Sequence, residues 1–209
     1  LMIVKRKYGS TYSDDIPWLN YCRGLVIDTM NHKIVFCPPV KSKEVRTLDD
    51  FKELGGVSTE LIDGTMVNIF YHNGWHMSTR SNIGCNNQWS ADLTFKQMFD
   101  QCSNNLDYEN LDKSVTYSFV MRHKKNRIIT PVPTNELYLI EARRDGLLVD
   151  IPPCENYLTT LPIQTNILDK ERNDIYKGYT TMVNGIRYKW LSTECKSVSY
   201  THLRAHETS

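Results

Sequence analysis

What this chain lacks narrows it before any motif is read. Its 6 cysteines, Cys22, Cys37, Cys85, Cys102, Cys154 and Cys195, are scattered with no Cys-x-x-Cys pair, which removes the usual zinc-ribbon and thioredoxin-like frameworks. No apolar run is long enough to span a bilayer, and nothing resembles a secretory leader. The expectation is therefore a cytoplasmic protein with reduced thiols and no membrane partner. Charge of one sign is not in excess either, since 25 Lys and Arg face 24 Asp and Glu for a formal +1. A chain so balanced has no global field for long nucleic-acid tracts, and any RNA contact must be local. Gly-rich phosphate loops, internal repeats and low-complexity tracts are missing too, which leaves no P-loop or solenoid reading.

What is present is enough chain for one domain with a sizeable core, at 209 residues. Cys22 to Asp28 and Lys33 to Cys37 predict a β-hairpin stopped by Pro38 and Pro39. A linker holding Lys41 and Lys43 leads to a short helix from Leu48 to Leu54, ended by Gly55-Gly56. Met66 to Tyr71 alternates, placing Met66, Asn68 and Phe70 on one face and Val67, Ile69 and Tyr71 on the other. Asn73-Gly74 turns it into a return strand from Trp75 to Ser81. Leu93 to Cys102 has helical spacing, with Leu93, Phe95, Met98, Phe99 and Cys102 as its buried side. Strands are expected at Val115 to Met121, Arg127 to Thr130, Leu137 to Ala142 and, beyond Asp145-Gly146, Leu147 to Asp150. A proline-bearing loop from Pro152 to Lys170, a short helix near Ile167 to Asp174, and a hairpin of Gly178 to Val183 and Ile186 to Leu191 about Asn184-Gly185 complete the prediction. Many hairpins with few helices describe an α+β domain of antiparallel sheets, an architecture that commonly holds a ligand between sheets.

The last residues, from Val198 to Ser209, resemble a translated sequencing adapter of the kind that closes metagenomic reading frames. Residues 1–196 are accordingly read as the domain, truncated at both ends, and residues 197–209 as a non-native tail. His202 and His206 have helical metal-ligand spacing but fall in that tail.

The most informative stretch is Glu60-Leu61-Ile62-Asp63-Gly64-Thr65. It resembles the first motif of the RNA ligases and related covalent nucleotidyltransferases, Lys-x-Asp-Gly, with Leu61 at the lysine. In that family the lysine amine attacks the α-phosphate of ATP or GTP; a leucine has no nucleophile to offer. Five further places, in the family's order over residues 20–192, extend the resemblance to the phage and large-DNA-virus type. Cys22-Arg23-Gly24 followed by Pro38-Pro39-Val40-Lys41 resembles the Arg-Gly strand and the approach to the nucleophile, which implies that Arg23 lies near phosphate or ribose. Trp75 to Ser81 resembles the strand after the first motif, where Arg80 is a better phosphate ligand than His76. Phe119-Val120 and Asn126-Arg127-Ile128-Ile129 resemble Phe-Glu and Asn-Arg-Ile-Val, so that Phe119 would stack on the purine while Val120 replaces a glutamate. Tyr176-Lys177-Gly178 resembles Glu-Gly-x-Val with Lys177 at the metal-holding carboxylate, and a lysine cannot hold Mg²⁺. Arg187-Tyr188-Lys189 matches Lys-x-Lys, two cations on one strand face as a phosphate clamp requires, with Lys189 at the α-phosphate.

The resemblance implies a ligase adenylation-domain-like fold binding ATP, with GTP second, in a cleft built by Arg23, Glu60, Asp63, Gly64, Arg80, Phe119, Arg187 and Lys189. Asp63 would bond the ribose and Glu60 the adenine amine. Bland alternatives stand beside these roles, a surface arginine for Arg23 and an edge ion pair for Arg80. An active protein would adenylylate itself with Mg²⁺ and seal RNA 5′-phosphate to 3′-hydroxyl ends, and Lys41 or Lys43 would have to replace Leu61 as nucleophile. The other reading is an inactive domain that binds nucleotide or RNA ends, helped by the basic run Arg122 to Arg127; if viral, it acts in host cytoplasm. A third reading takes Glu60, Asp63 and His76 as hydrolase groups or metal ligands.

Overall fold

A computed structural model describes residues 1–7, 16–88, 92–103, 106–149, 176–193 and 195–196. In chain order the strands are β1 (Met2–Lys5), β2 (Arg23–Asp28), β3 (Lys33–Phe36), β4 (Lys43–Val45), β5 (Thr59–Glu60), β6 (Thr65–Tyr71), β7 (Trp75–Ser78), β8 (Val115–Arg122), β9 (Glu136–Arg144), β10 (Leu147–Leu148), β11 (Gly178–Val183) and β12 (Ile186–Leu191). Among the described residues two α-helices, α1 (Leu48–Glu53) and α2 (Phe95–Ser103), are interposed. The chain is thus mostly sheet with few helices, the α+β class expected. Among the described residues no helix is long and apolar enough to cross a membrane.

The strands form three sheets: β1-β2-β3, β10-β9-β8-β6-β7 and β4-β12-β11-β5. Pairing is antiparallel except where β4 runs parallel to β12. In β6 alternate side chains part as expected: Val67 and Ile69 enter the main core, while Phe70 meets Val26 and Phe36 of the three-stranded sheet. The main core lies between the five-stranded sheet and α2, whose Phe95, Met98, Phe99 and Cys102 are all buried. Helix α1 is capped by Thr47, whose Oγ1 accepts from the Asp50 amide at 3.1 Å. It buries Phe51 beside Tyr179 of the four-stranded sheet.

Both Asn-Gly turns take the left-handed conformations that tight hairpins require, with Asn184 at φ 49° and Gly185 at φ 75°. Three expectations change. The return strand ends at Ser78, because the Thr79 amide turns back to the Asn82 carbonyl at 2.9 Å, which leaves Arg80 in a turn. Arg127 to Thr130 is a bend rather than a strand: the Ile129 and Thr130 amides bond the Asp63 carboxylate and are not free for a neighbouring strand. Strands β1, β4 and β5 were not foreseen; each is short and gains its order from a longer partner. The predicted loop and helix between Pro152 and Asp174, and the adapter-like tail, lie outside the described residues.

Candidate functional site

Strand β5 belongs to the four-stranded sheet and β6 to the five-stranded one, so Leu61-Ile62-Asp63-Gly64 is the crossing between them. Two long-range bonds hold the crossing against the start of β11. The Leu61 amide donates to the Gly178 carbonyl at 2.9 Å, and Lys177 Nζ reaches Asp63 Oδ1 at 3.0 Å. Gly64 must lack a side chain, since a Cβ there would collide with the Met121 carbonyl oxygen and the Val120 side chain. Above this crossing the two sheets enclose a cleft of about 800 Å³, within the range of small-molecule sites.

Of the nine positions singled out in the sequence, Arg23, Glu60, Leu61, Gly64, Arg80, Arg187 and Lys189 line this one cleft. Arg23 and Arg80 come together because Gly24, at φ 110°, lays its bare backbone on the Thr79 and Arg80 backbone. Arg187 and Lys189 are two apart on β12 and share the cleft face, as strand geometry demands. Lys189 Nζ lies 3.2 Å from Glu44 Oε2, its register neighbour across the parallel pair.

Two positions are elsewhere. Phe119 is not on the cleft: it is fully buried on the opposite face of β8, edge-on to Phe99 of α2, with ring centroids 5.8 Å apart. The stacking role assigned to it is corrected by strand alternation, which sends Tyr117, Phe119 and Met121 to the helix and Val120 to the cleft. Phe119→Leu should therefore cost the fold about 1 kcal/mol, as urea titration of parent and variant will read.

Asp63 sits beneath the cleft, 4% exposed. Its Oδ2 accepts from the Ile129 and Thr130 amides at 2.7 and 2.8 Å, and its Oδ1 from Lys177. Burial pushes this carboxyl up, but the Lys177 ammonium and the two amides outweigh burial and hold it below the ordinary carboxylate range. With both oxygens engaged, Asp63 anchors the crossing and does not meet a ribose in this arrangement. Asn126 buttresses the same region, its Oδ1 accepting from Thr65 Oγ1 at 2.6 Å.

The sequence reading missed Glu141. Strict alternation puts it on the core face with Leu137 and Leu139, but the register shifts between Ser118 and Phe119, and Glu141 moves opposite Ser118. That bulge turns the carboxylate to the cleft. There it is 5% exposed and pairs with the Arg143 guanidinium and, at 2.9 Å, with Arg187 Nη2. Burial pulls the Arg187 guanidinium below its usual value while Glu141 opposes the shift; an arginine remains charged all the same. A lone acid inside the apolar run Leu137 to Ala142 was the available signal.

Lys41 and Lys43 are exposed and line a smaller cavity of about 420 Å³ that shares Val40, Ser42, Glu141, Arg187 and Lys189 with the cleft. The basic run is broken up: Arg122 pairs with Glu136 at 2.9 Å, and His123 is buried against Gln101, also at 2.9 Å. His76 bonds the His72 carbonyl at 2.9 Å and stacks on Phe70, away from Asp63. Among the described residues no three His, Cys, Asp or Glu side chains converge. Glu141 faces two guanidinium groups and Asp63, beneath the cleft, faces an ammonium, so neither suits a divalent cation.

Five cationic side chains, Arg23, Arg80, Lys177, Arg187 and Lys189, line the cleft against the carboxylates of Glu60 and Glu141. Asn68 adds a buried acceptor on the wall, its Oδ1 without a hydrogen-bond partner. No protein-family model and no curated protein matches this chain.

Proposed function

We propose that this chain is an RNA-ligase-like nucleotidyltransferase domain that binds ATP between its two larger sheets. The observation that carries the reading is the gathering of five cationic side chains in one cleft, three of them paired with Asp63, Glu141 and Glu44, donors that a triphosphate would recruit. Apolar Leu61, Ile62, Met66 and Val120 supply walls for a base. The orphan Asn68 Oδ1 is a buried acceptor that the exocyclic amine of a purine would satisfy; ATP as first choice and GTP as second rest on the resemblance. RNA 5′-phosphate ends are the acceptors that the resemblance implies, and a domain that only holds nucleotide or RNA ends is the reading favoured by Leu61 at the nucleophile position.

Titration of the chain with ATP tests this directly. Lys189→Gln removes a charge-assisted contact of roughly 1.5–3 kcal/mol and should weaken ATP about tenfold or more. Arg80→Ala should act in the same direction, and GTP should bind less tightly than ATP. Failure to bind ATP at millimolar concentration, or affinities indifferent to both substitutions, would end the proposal.

A further inference from the structure

Leucine at position 61 leaves an ATP-binding cleft without the amine that covalent nucleotidyl transfer needs, yet an amine stands next to it. Lys177 is the residue before Gly178, whose carbonyl holds the Leu61 amide at 2.9 Å. Its side chain runs into the cleft and ends on Asp63, two residues beyond Leu61. Among the described residues, Lys177 and Lys189 are the lysines that line this cleft. The two differ in setting: Lys189 pairs with a half-exposed Glu44 at the margin, whereas Lys177 pairs with a carboxylate only 2% exposed in its side chain.

We propose that Lys177 is the nucleophile of this domain, the lysine having moved from the crossing strand to the strand facing it. The inference rests on the ATP-binding reading above. Lys177 reaches Asp63 and the next residue, Gly178, holds the Leu61 amide, so this amine stands beside the position at which the resemblance implies a lysine. The Lys177–Asp63 pair keeps the amine's position defined at the cleft floor, which nucleophilic catalysis requires.

The step balances without a further reactant. The ammonium gives one proton to solvent, and the neutral Nζ attacks the α-phosphorus of ATP. An N–P bond forms as the bond from the α-phosphorus to the bridging oxygen breaks, and pyrophosphate departs with that electron pair. The attacking nitrogen loses its second proton to solvent, leaving a lysyl-AMP phosphoramidate. Cations already in the cleft, Arg80, Arg187 and Lys189, face the charge on the leaving pyrophosphate.

The test is to incubate the full chain with magnesium and ATP labelled at the α-phosphate, denature it, and map the label by peptide mass spectrometry. A parallel titration follows non-covalent ATP binding. Acid-labile, alkali-stable label on Lys177 is expected. Lys177→Arg, which keeps the charge beside Asp63 but offers no nucleophile near neutral pH, should abolish the label while its melting temperature stays close to that of the parent. Label on another residue, or equal label on Lys177→Arg, overturns the assignment. ATP bound with no covalent label also overturns it and leaves the binding reading standing; absence of ATP binding overturns both.

Discussion

Asp63→Ala is expected to destabilise the protein by about 3–4 kcal/mol, a large part of the total for a domain of this size. The loss has three sources in one place. The Ile129 and Thr130 amides lose their acceptor, and the half-buried Lys177 ammonium loses its counter-charge. An unsatisfied buried donor costs about 1–3 kcal/mol and a broken buried pair about 3–5; the lower end applies here because the Lys177 side chain is 24% exposed. Urea unfolding of parent and variant measures the difference, and a change under about 1 kcal/mol would show that the crossing is held by something else. The same carboxylate predicts a pH signature. Its folded-state pKa is depressed below the ordinary 3.8, so its contribution is complete above that value and is lost as pH falls through the lower folded one. The parent should therefore lose stability on acidification below about pH 4, and Asp63→Ala should show less of that loss.

Gly178→Ala is the second large effect. Gly178 sits at φ 148°, and a Cβ there would run into the Trp190 carbonyl oxygen, which is backbone and has no rotamer to move to. The first rung of the β11–β12 ladder, Gly178 opposite Leu191, must open. We expect a cost of about 3 kcal/mol or more, a fall of about 6–12 °C in Tm. Gly178 also holds the Leu61 amide, so the crossing between the sheets should loosen with the ladder. Gly185→Ala separates the two causes: at φ 75° with open space around it, it carries backbone strain alone, about 1 kcal/mol. Equal effects at the two glycines would refute the collision as the dominant cost.

The hairpins were legible because turn chemistry is local. Asn73-Gly74, Asp145-Gly146 and Asn184-Gly185 all adopt positive φ, and each follows from residue type within the turn. Helix α2 was legible from the spacing of Phe95, Met98, Phe99 and Cys102, all of which enter the core. Phe119 was legible in principle too, since β8 alternates Val115, Tyr117, Phe119 and Met121 toward that core. There the motif's assignment overrode a periodicity that was already in the chain, and periodicity reported the truer position.

By itself, then, the sequence determined the class of fold, the turns, the faces of β6 and β8 and the gathering of cationic residues in β12, because these depend on neighbours within a few residues. Only the tertiary structure decided that Leu61 to Gly64 crosses between sheets, that a bulge swings Glu141 into the cleft, and that Lys177 meets Asp63. Those outcomes join residues as far as 114 positions apart, and no local pattern encodes such a pairing. The long-range register of β11 against β5 sets it, and that register exists only once both sheets have packed.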